Sequence, residues 1–170
     1  MNVEGKDLIF IFCKADLNSE EDCVHIVPLL NEYATHTMGG EEELSHFVKE
    51  NLVAELRRRP ICHVFFAKTA ADSRPIAMAL CFEGFSSFAC KPLLNVHDLI
   101  VTSEYRGKHI GRNLLLFLSE YAKRELDCCK VTLEVIEGNH VAQKTYLAAG
   151  FEPYTLSETT GKAMFWAKSL

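Results

Sequence analysis

Three cations and two glycines crowd into Arg106-Gly107-Lys108-His109-Ile110-Gly111-Arg112, a spacing suited to holding an anion. The preceding Leu99-Ile100-Val101 is apolar and β-branched, which reads as the end of a buried strand. After the glycines, Ile110, Leu114, Phe117, Leu118, Tyr121 and Ala122 recur three or four apart, a helix face. Strand, loop and helix in that order aim free backbone N–H groups and a positive dipole end at one spot. The loop lacks the Lys-Ser/Thr ending of a nucleotide P-loop and the G-x-G-x-x-G of a dinucleotide fold. A pyrophosphate fits it, with ATP and NAD not the first candidates. Two further groups could handle protons. His97 and Asp98 stand side by side on the strand, where adjacent residues face opposite ways, so a direct relay between them needs a bulge. Asn139 and Tyr146 are two helical turns apart and face the same way, with Ala142 between them.

The rest of the chain must position these groups. Leu8–Cys13 reads as a first strand. Ser19 is a helix N-cap followed by acidic residues, and Val24, Val27, Leu30 and Tyr33 carry that helix past a kink at Pro28. Thr37-Met38-Gly39-Gly40 breaks it, and a second helix is expected from Glu42 to Leu56, closed by Arg57-Arg58-Arg59-Pro60. His63–Lys68 and Ile76–Phe85 form an antiparallel hairpin around Ala70–Pro75. A loop over Ser86–Pro92 leads to the central strand Leu94–Val101. The helix from Ile110 ends near Leu126, and Val131–Ile136 is the next strand. A short helix follows from Gly138-Asn139 to Ala149, stopped by Gly150. Phe151–Leu156 and Ala163–Lys168 read as terminal strands around a turn containing Gly161. No repeat or linker interrupts this order, so residues 1–170 form one mixed α/β domain.

Composition narrows the function classes. The formal charge of −5 argues against nucleic acid as the main partner. No apolar run reaches membrane-spanning length, and no membrane partner is expected. Glu4 and Asp7 stand where a secretory leader would need positive charge, so the expected compartment is the cytoplasm. Seven cysteines without C-x-x-C spacing read as reduced, mostly buried thiols. Seven histidines form no H-x-x-x-H pair, and no metal site is expected.

Arg106-Gly107-Lys108-His109-Ile110-Gly111 resembles the R/Q-x-x-G-x-G/A signature of GCN5-related N-acetyltransferases. Asn139-x-x-Ala142-x-x-x-Tyr146-x-x-x-Gly150-Phe151 is similar to that family's second motif, and the two stand in the family's order. The resemblance covers Leu94 to the C-terminus well and the N-terminal half by element order. It implies a single-domain α/β fold around a mixed, mostly antiparallel sheet whose fourth and fifth strands splay apart. Acetyl-CoA, as acetyl donor, would lie in that gap, held by Arg106, Gly107, Lys108, His109, Ile110, Gly111 and Arg112, with Asn139 also in contact. Backbone groups of Leu99, Ile100 and Val101 would flank its pantetheine arm. His109 departs from the family, which usually has glycine there. A negative φ would accommodate the histidine and bring its ring toward the phosphates; otherwise the ring points to solvent.

Acetyl transfer needs an amine that loses a proton, a polarised thioester carbonyl and a protonated leaving thiolate. The Val101 N–H is the natural donor to the carbonyl, and Tyr146 is the general acid that the motif implies. His97 and Asp98 are candidates for the base, with Glu83 and Glu134 behind them. Cys81 and Cys90 could carry an acyl group in principle, but no activating neighbour is evident. The reading is direct transfer to a primary amine of a small molecule, polyamine-like or amino-acid-like. The segment Met38–Glu43 is expected to cover the acceptor, and a homodimer is left open. Protein N-acetylation and a non-catalytic acyl-CoA-binding module on the same fold are the alternatives.

Overall fold

The computed structural model describes residues 9–155, 157, 159 and 161–169. Five strands form one sheet: β1 (Phe10–Lys14), β2 (Cys62–Thr69), β3 (Pro75–Ser86), β4 (Lys91–Val101) and β5 (Val131–Leu133). Their spatial order follows the chain, β1 to β5. The first four pair antiparallel, and β5 alone pairs parallel, to β4. Helices α1 (Glu20–Cys23), α2 (Ile26–Ala34) and α3 (His46–Arg57) precede β2, while α4 (Ile110–Glu125) and α5 (His140–Ala148) flank β5 in sequence. Alternation along the strands divides the core in two. Phe65, Ala77, Ala79, Leu94 and Val96 pack against Ile110, Leu114 and Leu118 of α4. On the opposite face Val64, Phe66, Met78, Leu80 and Ile100 pack against Ile26 and Leu29 of α2 and Leu56 of α3. Among the described residues no helix is long and apolar enough to cross a membrane.

Several boundaries differ from expectation for local reasons. The first helix is divided at Val24–His25, before Pro28 rather than at it. Restarting at Ile26 puts the proline in a first turn, where its missing N–H breaks no helical bond. The second helix begins at His46 instead of Glu42, because the Ser45 side chain accepts from the Val48 N–H at 3.3 Å and caps it. Phe47, expected on its apolar face, is exposed. The β3–β4 ladder runs out to Ser86 opposite Lys91, so the expected loop shrinks to a tight turn. Among the described residues of the two expected terminal strands none joins the sheet, and an isolated bridge pairs Thr155 with Lys162. Gly150 at φ +90° turns the chain, and Pro153 has no N–H to give a ladder. Leu8 and Leu156, the ends of two expected strands, lie outside the described residues.

Candidate active site

The parallel pairing of β4 with β5 lasts from Leu94 opposite Val131 to Val96 opposite Leu133. Beyond it β4 continues alone to Val101, so the strands part. The antiparallel ladder to β3 shows which backbone groups face the gap. The Thr102 N–H bonds the Ile76 carbonyl at 2.9 Å, and outward-facing groups alternate along an antiparallel strand. Val101 and Leu99 therefore turn their backbone N–H and C=O toward the gap. Ile100 turns its own toward β3 and buries its side chain beneath α2. Of the three strand residues expected beside the donor, Leu99 and Val101 thus aim their backbone groups at the gap and Ile100 aims its own at β3.

At the mouth of the gap lies the glycine loop. Gly107 has φ +76° and His109, the N-cap of α4, has φ +58°. The negative φ that would suit histidine is absent: position 109 is left-handed, which explains a glycine preference there. The exposed ring caps nothing. Side chains cap α3 and α5, through Ser45 and through Asn139, whose Oδ1 accepts from the Ala142 N–H at 3.1 Å. No side chain caps α4, so its first-turn N–H groups stay open to an anion. Gly111 lets this helix end close on β4 and α5: a Cβ there would stand 3.4 Å from Val101 Cγ2 and 3.7 Å from Thr145 Cγ2. Arg106 donates from Nε to the Val101 carbonyl at 3.0 Å, pinning the loop to the strand end. Lys108 lies over the Tyr105 ring, 4.7 Å from its centroid. Arg112 departs from expectation. Its Nε donates to the Ala148 carbonyl at 2.9 Å, so its charge serves the C-terminus of α5.

The bulge that would let His97 and Asp98 share a face is present. Cys81 pairs with Val96 and Leu80 with Asp98, leaving His97 as an extra residue in β4. Side chains of Val96 and Leu99 belong to the α4 side, and Ile100 to the α2 side. Alternation across the extra residue then puts His97 and Asp98 on one face, beneath α2. The His97 ring meets Phe82 edge-on at 5.7 Å. Burial raises the Asp98 carboxyl above its ordinary range, against a smaller opposing pull from His97. Tyr33 of α2 stands over Asp98, and burial, then that carboxylate, raises its phenol. Tyr33 also acts on Tyr146, whose hydroxyl is pushed up to about 12 by burial first and Tyr33 second. Tyr33, Glu134, Asn139, Tyr146 and Phe165 wall a cleft of about 210 Å³. Asn95 Nδ2 reaches both Glu134 carboxylate oxygens at 3.3 Å, holding that side chain at the gap.

Tyr33 was missed because its spacing with Val24, Val27 and Leu30 marks a core position; no sequence signal tells a core tyrosine from a cleft wall. Glu83 does not reach this site. It pairs with His63 Nε2 at 2.5 Å on the α4 face. Burial pushes the Cys81 thiol far up, away from a reactive thiolate, and Cys90 is exposed on the β3–β4 turn. Met38 closes over Tyr33 through its carbonyl, which accepts from the Tyr33 hydroxyl at 3.2 Å. Glu43 is engaged by Lys49. A larger cavity of about 520 Å³ at the far end of α4 is lined by Lys123, Cys128, Lys130 and Glu152 among others, and by none of the expected site residues. Among the described residues no cluster of three or more His, Cys, Asp or Glu side chains could hold a metal ion.

Comparison with known proteins bears on the family and the fold. The model of the acetyltransferase (GNAT) family matches residues 26–151. A thialysine N-epsilon-acetyltransferase from Bos taurus is 28% identical over 149 residues, covering 82% of this chain and 84% of that protein. A solved structure of a probable acetyltransferase superposes with a TM-score of 0.77 at 22% identity, over 94% of this chain and 98% of its own. An aminoglycoside acetyltransferase from an uncultured soil metagenomic sample gives 0.72 at 14%, over 95% and 96%.

Proposed function

The chain belongs to the acetyltransferase (GNAT) family, and on that premise we propose that it acetylates the primary amine of a small molecule by direct transfer in a ternary complex. The observation that carries this reading is the 210 Å³ cleft walled by Tyr33, Glu134, Asn139 and Tyr146 where β4 and β5 part. That volume is below the roughly 300 Å³ at which ordinary ligand pockets begin, and it suits a compact amine better than a peptide. The bovine relative is named for thialysine, itself a small amine, which agrees with this choice.

Acetyl-CoA, the donor used by the family, supplies an activated acetyl thioester. The open N–H groups of α4 and the cations Arg106 and Lys108 hold its pyrophosphate, and Gly107, His109, Ile110 and Gly111 shape the contact. The outward N–H groups of Leu99 and Val101 hold the arm, and the Val101 N–H polarises the thioester carbonyl. Asp98, half-buried and without an ion-pair partner among the described residues, receives the ammonium and takes its proton, with His97 beside it on the same face. A phenol at about 12 keeps its proton through the working pH range. Tyr146 releases it to the departing sulfur as the C–S bond breaks, and the second proton lost by the new amide nitrogen restores the phenol. Asn139 caps α5 and so fixes the direction of Tyr146.

Thiol release from acetyl-CoA, measured over diamines, amino acids, an aminoglycoside and peptide N-termini, tests the acceptor class; turnover confined to peptides refutes the small-molecule reading. Tyr146→Phe tests the acid. The ring packing survives, CoA binding is retained, and kcat falls by about a hundredfold to ten-thousandfold. An undiminished kcat, with chemistry rate-limiting, leaves Tyr146 as packing.

A further inference from the structure

The loop that receives the donor is fastened to the helix that walls the acceptor cleft. Between β4 and the glycine loop lies a single 3-10 turn, Ser103–Tyr105. Its first N–H has no partner within the turn, and a capping side chain on the preceding residue would reach the second or third N–H of the turn. Thr102 precedes it, yet the Thr102 hydroxyl makes no such cap and is buried without a partner. Glu32 of α2 supplies the acceptor instead: its Oε1 takes the Ser103 N–H at 2.8 Å across 71 residues of chain. The next residue on α2 is Tyr33, which lines the cleft beside Tyr146 and faces Asp98. One side, Glu32, grips the start of the donor loop, and the other, Tyr33, forms the acceptor wall.

We propose that Glu32 is a positioning residue that couples occupancy of the donor loop to the acceptor wall. The inference rests on the reading of residues 106–112 as the donor site. Ordering the loop fixes the Ser103 N–H, which fixes Glu32 and with it the C-terminal half of α2. The linkage is reciprocal, so an amine held against Tyr33 steadies the loop in turn.

Amide hydrogen exchange with CoA as the probe separates the two claims. In the unmodified protein CoA protects residues 103–112 and also residues 26–38. In Glu32→Ala the loop stays protected while protection of 26–38 is lost. Glu32→Gln, which keeps the accepting oxygen, restores it. Ser103→Pro removes the same bond from the donor side, at a helical first position that tolerates proline, and matches Glu32→Ala. In initial-rate kinetics the alanine variant raises the acceptor KM several-fold more than the glutamine variant does. Protection of 26–38 that is absent in the unmodified protein, or that survives in Glu32→Ala or Ser103→Pro, overturns the coupling. Absent protection of 103–112 overturns the donor-site reading itself, and the coupling falls with it.

Discussion

His109→Gly is expected to stabilise the protein without weakening donor binding. Position 109 has φ +58° and ψ +13°, and a left-handed conformation costs a residue with a Cβ about 1–2 kcal/mol. Glycine there relieves the strain but loses about 0.5–1 kcal/mol through its greater freedom in the unfolded chain. The exposed imidazole caps nothing, so its removal forfeits little burial. The balance is a gain of about 0.5–1 kcal/mol, and in a chain this long each kcal/mol moves Tm by about 2–4 °C. A rise of about 1–4 °C should appear in thermal denaturation followed by circular dichroism. His109→Ala is the control: it removes the ring but keeps the strain, and should leave Tm unchanged or slightly lower. Glycine lowering Tm, or alanine raising it equally, refutes the backbone argument. A several-fold rise in the acetyl-CoA KM shared by both variants would show instead that the ring contacts the donor.

Other substitutions probe separate parts of the site. Gly111→Val forces methyl groups against Val101 and Thr145, a cost of about 1–3 kcal/mol, and should raise the KM for acetyl-CoA more than that for the amine; equal changes refute the donor-loop assignment. Arg106→Ala should raise the donor KM, whereas Arg112→Ala should chiefly lower Tm by uncovering the Ala148 carbonyl, and a reversed pattern in paired kinetics and melts reverses the two roles. Asp98→Asn tests both pH and function. Because folding raises the Asp98 pKa, the folded state prefers the protonated form, and stability falls as pH rises through that folded value. Denaturant titration should therefore show the asparagine variant more stable at pH 7, with the gain gone below about pH 4, the ordinary carboxylate range, while its turnover is lost.

Much of the site is readable from sequence because its signals are local. A glycine loop between an apolar strand and a helix marks out the proposed donor loop. Seven-residue spacing puts Asn139 and Tyr146 on one helix face. What the sequence hides depends on pairing partners far away. The bulge at His97 is a mismatch between β3 and β4, and neither strand alone reveals it. Arg112 reads as a free cation until the end of α5 arrives beside it. Phe47 fits an apolar stripe yet is exposed among the described residues. The segment 163–168 carries a strand's composition, yet composition cannot say whether a sheet edge will receive it.

Because strand order follows chain order, three of the five strands, β2, β3 and β4, are joined by successive hairpins that each close a short loop, whereas β1 reaches β2 only across α1, α2 and α3. The fifth is different. Joining β5 to β4 requires carrying the chain through the whole of α4, and the return is three paired residues. Loop-closure entropy is thus met early for the meander and late for the gap. The cleft is built onto the β2–β4 meander across a long connection, and weakening β5 is expected mainly to speed unfolding and to leave the folding rate little changed, which stopped-flow folding and unfolding rates would check. The same lateness gives the cleft room to open locally, for donor and product to pass, while the meander beneath it holds its shape.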